Sequence, residues 1–299
     1  MMMDHLPADL NIRYERDALL GPLTWFGVGG PAKILAYPSS IPELTHLVSR
    51  ADECGARVYV LGSGANLLVA EEGVDGVVVR LSAPGFRQIR FEDRIVHVGA
   101  GFDLMKLVLT CARRGLSGIE CMAGIPASVG GAVRMNAGGS FGDIGNCVKR
   151  VTVMDTTGRV EIRERDELVF RYRSTNLETP FILEVDLELE SKDSSSVMKQ
   201  VKEVFRYKKS CQPLGDRSAG CAFKNPGPTV GVSAGELIDR AGLKGFCVGQ
   251  AQVSDLHANF IVARPGCSSR DVFAVMHHMQ ATVMDRFGVK LEPEVIRWP

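Results

Sequence analysis

Gly62-Ser63-Gly64-Ala65-Asn66-Leu67-Leu68-Val69 follows a strand-like run, Arg57-Val58-Tyr59-Val60-Leu61, and its reading decides the fold. A glycine turn directly after a strand suggests a dinucleotide site, but a Rossmann fingerprint requires G-x-G-x-x-G opening a helix. Leu67 stands where the third glycine belongs. The run stays apolar to Val69 and Glu71-Glu72-Gly73 then ends it, so no long helix follows. The Rossmann reading is therefore rejected. What remains is a turn with successive N–H groups and an Asn amide, suited to phosphate or pyrophosphate. A plain tight turn is the other reading of the same residues. No Walker A lysine pattern occurs anywhere in the chain.

Upstream, residues 1–20 are polar and mixed and read as an arm or a first short helix. Ala32–Tyr37 reads as a strand after a glycine-broken apolar segment, Leu23–Pro31. Ser40-Ile41-Pro42-Glu43 is a capping-box pattern, followed at helical spacing by Leu44, Leu47, Val48 and Ala51 and stopped at Gly55. Downstream, Val77–Leu81 and Ile95–Gly99 are strand-like, and Phe102–Arg114 carries a one-sided helical stripe ending at Gly115. Gly118–Gly139 is rich in Gly, Ala and Ser. It reads as a groove where backbone meets a large flat ligand, too apolar at Ile125, Val129, Val133 and Met135 for a linker. Val148–Asp155 and Arg159–Arg163 form a hairpin pattern around Thr157-Gly158, and Phe181–Glu190 is a further strand. Ser191–Ser196 marks a domain boundary and caps the next helix, which ends in Arg206-Tyr207-Lys208-Lys209.

The chain has 299 residues, with Lys+Arg and Asp+Glu equal at 35 each, which argues against a nucleic-acid or membrane-surface field. Eight cysteines without a C-x-x-C pair fit reduced thiols better than a disulfide framework or a zinc site. No apolar run reaches the ~18–20 residues of a membrane helix and the first residues lack a signal pattern, so a cytoplasmic protein is expected. Asn259–Ala263 is strand-like, and Ser268-Ser269-Arg270-Asp271 caps a long amphipathic helix on which the adjacent His277 and His278 diverge and read as a solvated face; metal pairs on helices sit at i, i+4.

The stretch Arg217-Ser218-Ala219-Gly220-Cys221-Ala222-Phe223-Lys224-Asn225-Pro226 places a titratable thiol, a cation and a two-sided amide among small residues. It reads either as a binding turn with one candidate acid or nucleophile, or as a tight loop with a buried apolar Cys. Taken alone, Arg173 reads as a strand-end surface cation and Glu294 as a solvated carboxylate.

The joint pattern says more. Gly62–Leu68, Gly124-Ile125-Pro126-Ala127-Ser128-Val129-Gly130-Gly131 with Met135–Gly138, Tyr172-Arg173-Ser174, Gly220–Pro226 and Glu292-Pro293-Glu294-Val295 occur in one order. From about Leu23 to its C-terminus the chain resembles the UDP-N-acetylenolpyruvoylglucosamine reductase (MurB) family. The resemblance is to the shorter subclass, without a Tyr-bearing lid insertion, because Phe181–Glu190 passes straight into the Ser-rich boundary.

That resemblance implies an α+β fold: a two-subdomain FAD-binding fold of the vanillyl-alcohol-oxidase (PCMH) type and a C-terminal α+β substrate domain. The implied layout is an arm (1–20), two FAD-binding subdomains (21–82 and 83–190) and the substrate domain (191–299). It implies non-covalent FAD, held by Gly62, Ser63, Gly64, Ala65, Asn66, Leu67, Gly124, Ile125, Pro126, Ser128, Gly130, Gly131, Asn136, Ala137 and Gly138. Gly62, Gly64 and Gly130 would let backbone approach the cofactor. NADPH would reduce the flavin, whose N5 would then give hydride to C3 of the enolpyruvyl group of UDP-N-acetylglucosamine enolpyruvate. Protonation at C2 would give UDP-N-acetylmuramate, a precursor of peptidoglycan. Arg173 and Glu294 would stabilise the enolate and Cys221 would be the proton donor. The family commonly carries Ser there, and a thiol (pKa about 8.5) is a stronger acid than an alcohol. Tyr172, Arg206, Lys224, Asn225, Gln252 and Arg297 would contact substrate. No metal, membrane or nucleic-acid partner is implied, and a monomer is expected.

Two competing readings stay open at this level. Another FAD oxidase or dehydrogenase of the same flavin fold would share the glycine turns but lack the Gly220–Pro226 stretch and Glu294. A nucleotide-binding regulatory module would be colourless.

Overall fold

The computed structural model describes residues 12–299. The chain divides into two compact units. One comprises residues 33–63 and 75–207 with the N-terminal segment up to Asp17; the other comprises 18–32, 64–74 and 208–299.

The first unit holds two sheets. One orders Arg13–Leu19, Pro31–Tyr37, Val74–Val79 and Val58–Val60, the last two parallel. Helix α1 (Ile41–Glu53) precedes Val58–Val60, burying Leu44, Leu47, Val48 and Ala51. Ser40 accepts from Glu43 N as expected, but the Glu43 carboxylate turns to Ser39 N and Oγ, so the capping box is half formed. The other sheet is antiparallel, ordered Val160–Glu164, Val148–Met154, Phe181–Glu188, Ile95–Gly99 and Ile89–Glu92. One face presents Val96, Val98, Val151, Val153, Val185 and Leu187 to a core shared with α2 (Leu104–Arg113) and α3 (Val129–Arg134). On the sheet itself His97, Asp186 and Arg150 align across three strands. His97 Nδ1 lies 2.7 Å from Asp186 Oδ1, and Arg150 Nε lies 2.5 Å from Asp186 Oδ2. Glu184 also approaches His97 and Asp186, but Arg150 already neutralises the buried carboxylate. The cluster is an ion-pair ladder rather than a cation site. Helix α4 (Ser194–Cys211) starts under an Asp193 cap: Asp193 Oδ2 accepts from Ser196 N at 2.8 Å.

The second unit packs α5 (Ala234–Arg240) and α6 (Ser269–Phe287) with an antiparallel sheet of Cys247–Val248, Ala251–Val253 and Ile261–Ala263. Phe26, Val28 and Leu68 share the core of these C-terminal elements. Leu67–Val69 pairs in parallel with Ile296–Trp298. The Glu71 carboxylate accepts from Ser269 N and Oγ in the first turn of α6. Ser268 and Asp271 form the expected capping box, and Gly288 closes α6 at φ +66°, where a side chain would be strained.

Two expectations change. Arg13–Leu19 is a strand, not an arm or helix; its mostly polar, exposed residues fit a solvated edge. Residues 1–11 lie outside the described residues. Gly118–Gly139 is not an open groove throughout. It contains α3, whose Val129, Gly130, Ala132 and Val133 are buried in the largest core, because small residues let that helix approach the sheet closely. His277 and His278 are exposed on α6, the latter stacked on Phe246 at 4.0 Å between ring centroids.

Candidate active site

Within the first unit Gly62 and Ser63 meet the second glycine turn, while Gly64–Leu67 belong to the second unit. Ser63 Oγ lies 3.5 Å from the Pro126 carbonyl. A Cβ on Gly62 would come within 2.6 Å of Ser128 Oγ, so the Ser128 hydroxyl would have to rotate away. Ser128 caps α3 through Gly131 N at 3.3 Å. Gly64 has φ +68°, and a Cβ there would sit 2.1 Å from the Leu23 carbonyl. Among the described residues, the N–H groups of Ser63, Gly64, Ala65 and Asn66 donate to no protein acceptor, nor do those of Gly124, Ala127 and Ser128. Successive N–H groups left over in a turn with a left-handed residue form a concavity for anionic oxygens. The residues present therefore fit a nucleotide diphosphate such as that of FAD.

Other residues expected to touch the cofactor are already engaged by protein. A Cβ on Gly130 would meet Ala100 Cβ at 2.8 Å, so helix packing requires that glycine. Gly131 is exposed, and its Cβ would meet only Ser128 Oγ, at 3.2 Å. Ile125 N bonds to Met122 O, Ala137 N bonds to Ala132 O, and Gly138 lies in a two-residue strand against Asp143. Asn66 Nδ2 donates to the Glu294 carbonyl at 3.1 Å, and Leu67 begins a buried strand. Asn136 is 3% exposed and spends its amide on backbone: Nδ2 donates to Arg171 O at 3.0 Å and Oδ1 accepts from Gly145 N at 3.0 Å.

Asn136 thereby holds the base of a tight hairpin, Phe170-Arg171 against Ser174-Thr175, with Tyr172 and Arg173 at its tip. Arg173 has φ +54°, a conformation that costs an L-residue roughly 1–2 kcal/mol. Its guanidinium sits over the Tyr172 ring at 5.0 Å, and that ring is 51% exposed. Arg134 donates to the carbonyls of Leu177 and Thr179, and to that of Pro180 at 3.1 Å, pinning the segment after the hairpin. Burial pushes its guanidinium pKa down.

In the second unit Cys221 and Glu294 come from neighbouring extended segments. Cys221 bridges to Phe260, and Phe223 bridges to Pro293. Lys224 N donates to Glu292 O at 2.8 Å and Glu294 N donates to Ala222 O at 2.9 Å. This ladder places Glu294 one residue from alignment with Cys221. Gly220, at φ +79° with nothing within 4 Å of a Cβ, turns the chain into it. Lys224 Nζ reaches Glu292 Oε2 at 3.4 Å. Asn225 Oδ1 accepts from Ala234 N at 3.0 Å and so helps start α5. Gln252 is held by Arg264, Gly245 and Asp255. Arg297 stacks on Phe273 at 4.0 Å, and Arg206 is exposed on α4.

Asn259 was not among the expected site residues. It is 2% exposed, and its amide pairs with both backbone groups of Phe223: Oδ1 accepts from Phe223 N at 3.0 Å and Nδ2 donates to Phe223 O at 2.7 Å. An Asn inside the apolar run Ala258–Ala263 was the available signal, since a buried amide must find partners.

Glycine turns with unspent donors beside a helix-covered antiparallel sheet fit a flavoprotein of the α+β FAD-binding class. Residues 32–162 match the model described as "FAD binding domain", and residues 212–298 match that described as "UDP-N-acetylenolpyruvoylglucosamine reductase, C-terminal domain". A Phl p 4 variant, a glucose oxidase, shares the fold at 15% identity and TM-score 0.53, over 64% of this chain and 44% of that one. The UDP-N-acetylenolpyruvylglucosamine reductase of Thermus caldophilus superposes with TM-score 0.83 at 41% identity, over 96% of this chain and 100% of that one. The curated reductase of Bacillus subtilis is 36% identical, over 91% of this chain and 89% of its own length. That of Desulfosudis oleivorans is 42% identical, over 95% and 94% respectively. The chain belongs to the UDP-N-acetylenolpyruvoylglucosamine reductase (MurB) family.

Proposed function

We propose that the chain reduces the enolpyruvyl group of UDP-N-acetylglucosamine enolpyruvate to give UDP-N-acetylmuramate, with FAD as cofactor and NADPH as co-substrate. Family membership favours this over an oxidase or dehydrogenase of the same flavin fold, because the match extends through the C-terminal domain. When bound, the flavin carries the reducing equivalents from NADPH to the enolpyruvyl double bond. The turn Gly62–Leu67 and the segment Gly124–Gly138 would hold it: N–H groups meet the diphosphate, and Gly131 offers an open face.

The chain's own side chains complete the reaction. As the double bond is reduced, negative charge moves onto the substrate carboxylate, where Arg173 supplies a cation and Glu294 a further polar contact. Cys221 gives its S–H proton to C2. Tyr172, Arg206, Lys224 and Arg297 offer exposed ring faces and cations to the nucleotide sugar. Asn225 and Gln252 would add amides, each partly committed to backbone or neighbouring side chains.

What supports the assignment of Cys221 and Glu294 is the single ladder bond Glu294 N to Ala222 O. It brings a thiol and a carboxylate far apart in sequence onto adjacent strands of one unit. A monomer in the cytoplasm completes the proposal; among the described residues no helix is long and apolar enough to cross a membrane. Purified protein should show flavin bands near ~370 and ~450 nm. It should consume NADPH beyond one equivalent per flavin only when the enolpyruvyl substrate is added, with UDP-N-acetylmuramate detected by mass. A colourless protein, or NADPH oxidation indifferent to that substrate, would overturn the reading.

A further inference from the structure

We infer that Asn259 is the positioning residue for the Cys221 strand: its side-chain amide stands in for a missing strand residue and holds Phe223, and with it Cys221, in register. The role in turnover rests on the proposed function above; the clamp itself does not.

Segment 221–224 lies between two backbone partners. On one side Lys224 N and Ala222 O bond to the segment 292–294. The Phe223 N–H and C=O point the other way, towards Asn259. On that other side Ala222 N donates to Asn259 O at 2.7 Å and Cys221 bridges to Phe260, but the ladder goes no further. The partner chain turns away through Asp255–Ala258, where Phe260 N bonds back to His257 O at 2.9 Å. Phe223 is 0% exposed, so its backbone groups cannot use water. Two buried orphan groups would each cost about 1–3 kcal/mol.

Asn259 supplies both partners from one amide, at 3.0 and 2.7 Å. Its own N–H donates to His257 Nδ1 at 3.2 Å, which fixes the residue from behind. An amide has the donor and acceptor of a peptide unit, and the length of Asn suits this span. The clamp lies two residues from Cys221 and one from Lys224, so a slack clamp frees the thiol while leaving Ser63 and Gly124–Gly138 of the first unit untouched.

The chemistry dictates a selective test. Asn259→Asp keeps the shape. Ionised, it accepts from Phe223 N but sets a carboxylate against Phe223 O. Protonated, its O–H donates to Phe223 O while the other oxygen still accepts, which restores the clamp. Burial beside a carbonyl raises a carboxyl pKa, so the restored form should appear on mild acidification. Asn259→Leu restores nothing at any pH.

The experiment uses holoenzyme with stopped-flow half-reactions and hydrogen exchange read by mass spectrometry. Flavin bleaching by NADPH should stay within about twofold of wild type in both variants. Reoxidation by UDP-N-acetylglucosamine enolpyruvate should fall on the order of 10²-fold at pH 8, the scale of about 1 Å of misplacement. Only Asn259→Asp should recover as pH falls towards 5.5. Amides of residues 222–224 should exchange at least tenfold faster in Asn259→Leu, with α6 unchanged. Unchanged exchange of those amides would remove the clamp. Equal losses in both half-reactions, or no acid recovery peculiar to Asn259→Asp, would reduce Asn259 to a folding residue. Wild type that bleaches but never reoxidises with that substrate would sink the proposed function instead, while the exchange data would still decide the clamp.

Discussion

Gly130 and Gly131 are adjacent in α3 yet predict opposite responses to one added methyl group. A Cβ at position 130 would lie 2.8 Å from Ala100 Cβ and 3.3 Å from the Ala100 carbonyl. Carbon pairs settle at about 3.5–4.0 Å, so helix or strand must yield by about 1 Å. Overpacking of this kind costs about 1–3 kcal/mol. Replacing a helical Gly by Ala returns about 0.5–1 kcal/mol. Gly130→Ala should thus lose about 1–2 kcal/mol net, a Tm fall of roughly 2–8 °C for a unit of this size. At position 131 the added Cβ meets one rotatable atom, Ser128 Oγ at 3.2 Å. The helix gain and a weakened Ser128 cap offset each other at about 1 kcal/mol apiece. The flavin-free Gly131→Ala protein should therefore melt near wild type. If its open face meets the flavin, its FAD affinity should fall at least tenfold. Gly130→Ala should bind FAD once folded. The assay is calorimetry of the flavin-free proteins followed by FAD titration monitored by flavin fluorescence. A Gly130→Ala protein as stable as wild type would refute the packing argument. A Gly131→Ala protein that binds FAD normally would refute the placement of the cofactor on that face.

Arg173→Ala and Glu294→Gln should bleach with NADPH at near-normal rate but reoxidise 10²–10³-fold more slowly, about the cost of one lost electrostatic stabiliser; equal slowing of both steps would contradict their proposed roles. Cys221→Ser should retain substantial reoxidation and shift its alkaline limb upward, whereas Cys221→Ala should stall at protonation; an Ala variant matching wild type removes the thiol from the chemistry. Burial lowers the His257 pKa, with Lys244 adding to the effect. The unfolded chain therefore takes up a proton near pH ~6.5 that the folded chain resists. Stability should be fully present above that pH and decline as pH falls below it, and His257→Gln should flatten this limb in urea titrations. Burial raises the Cys111 and Cys147 thiols to about 12 and that of Cys267 to about 11. Iodoacetamide at pH 8 should leave these three unmodified while labelling the exposed Cys247; rapid labelling of Cys111 would contradict its burial.

Much of this protein was legible in its residues. Leu67 in place of a third glycine removed the Rossmann fold, and the apolar run after it became the buried strand Leu67–Val69. Ser268 and Asp271 announced α6, and Thr157-Gly158 announced the hairpin of the second sheet. These are local signals: capping, turn chemistry and periodicity act within a few residues and survive without knowledge of the fold. The order of the five motifs carried the family, because each glycine or titratable group keeps its place along the chain.

Tertiary structure decided the rest. Gly130 and Gly62 look alike in sequence, but a Cβ at one would press on Ala100 Cβ and backbone and at the other only on the rotatable Ser128 hydroxyl. Asn136 resembles a ligand-binding amide in a glycine-rich loop, yet both ends of its amide hold backbone. Asn259 looked like a strand residue and proved to be the partner of Phe223. That Leu67–Val69 pairs with Ile296–Trp298 is written nowhere in either segment. The physical reason is common to all four cases. A side chain's role depends on which backbone groups the fold leaves unpaired and which surfaces it presses together. Both are settled by contacts between residues far apart in sequence, after the local elements have formed.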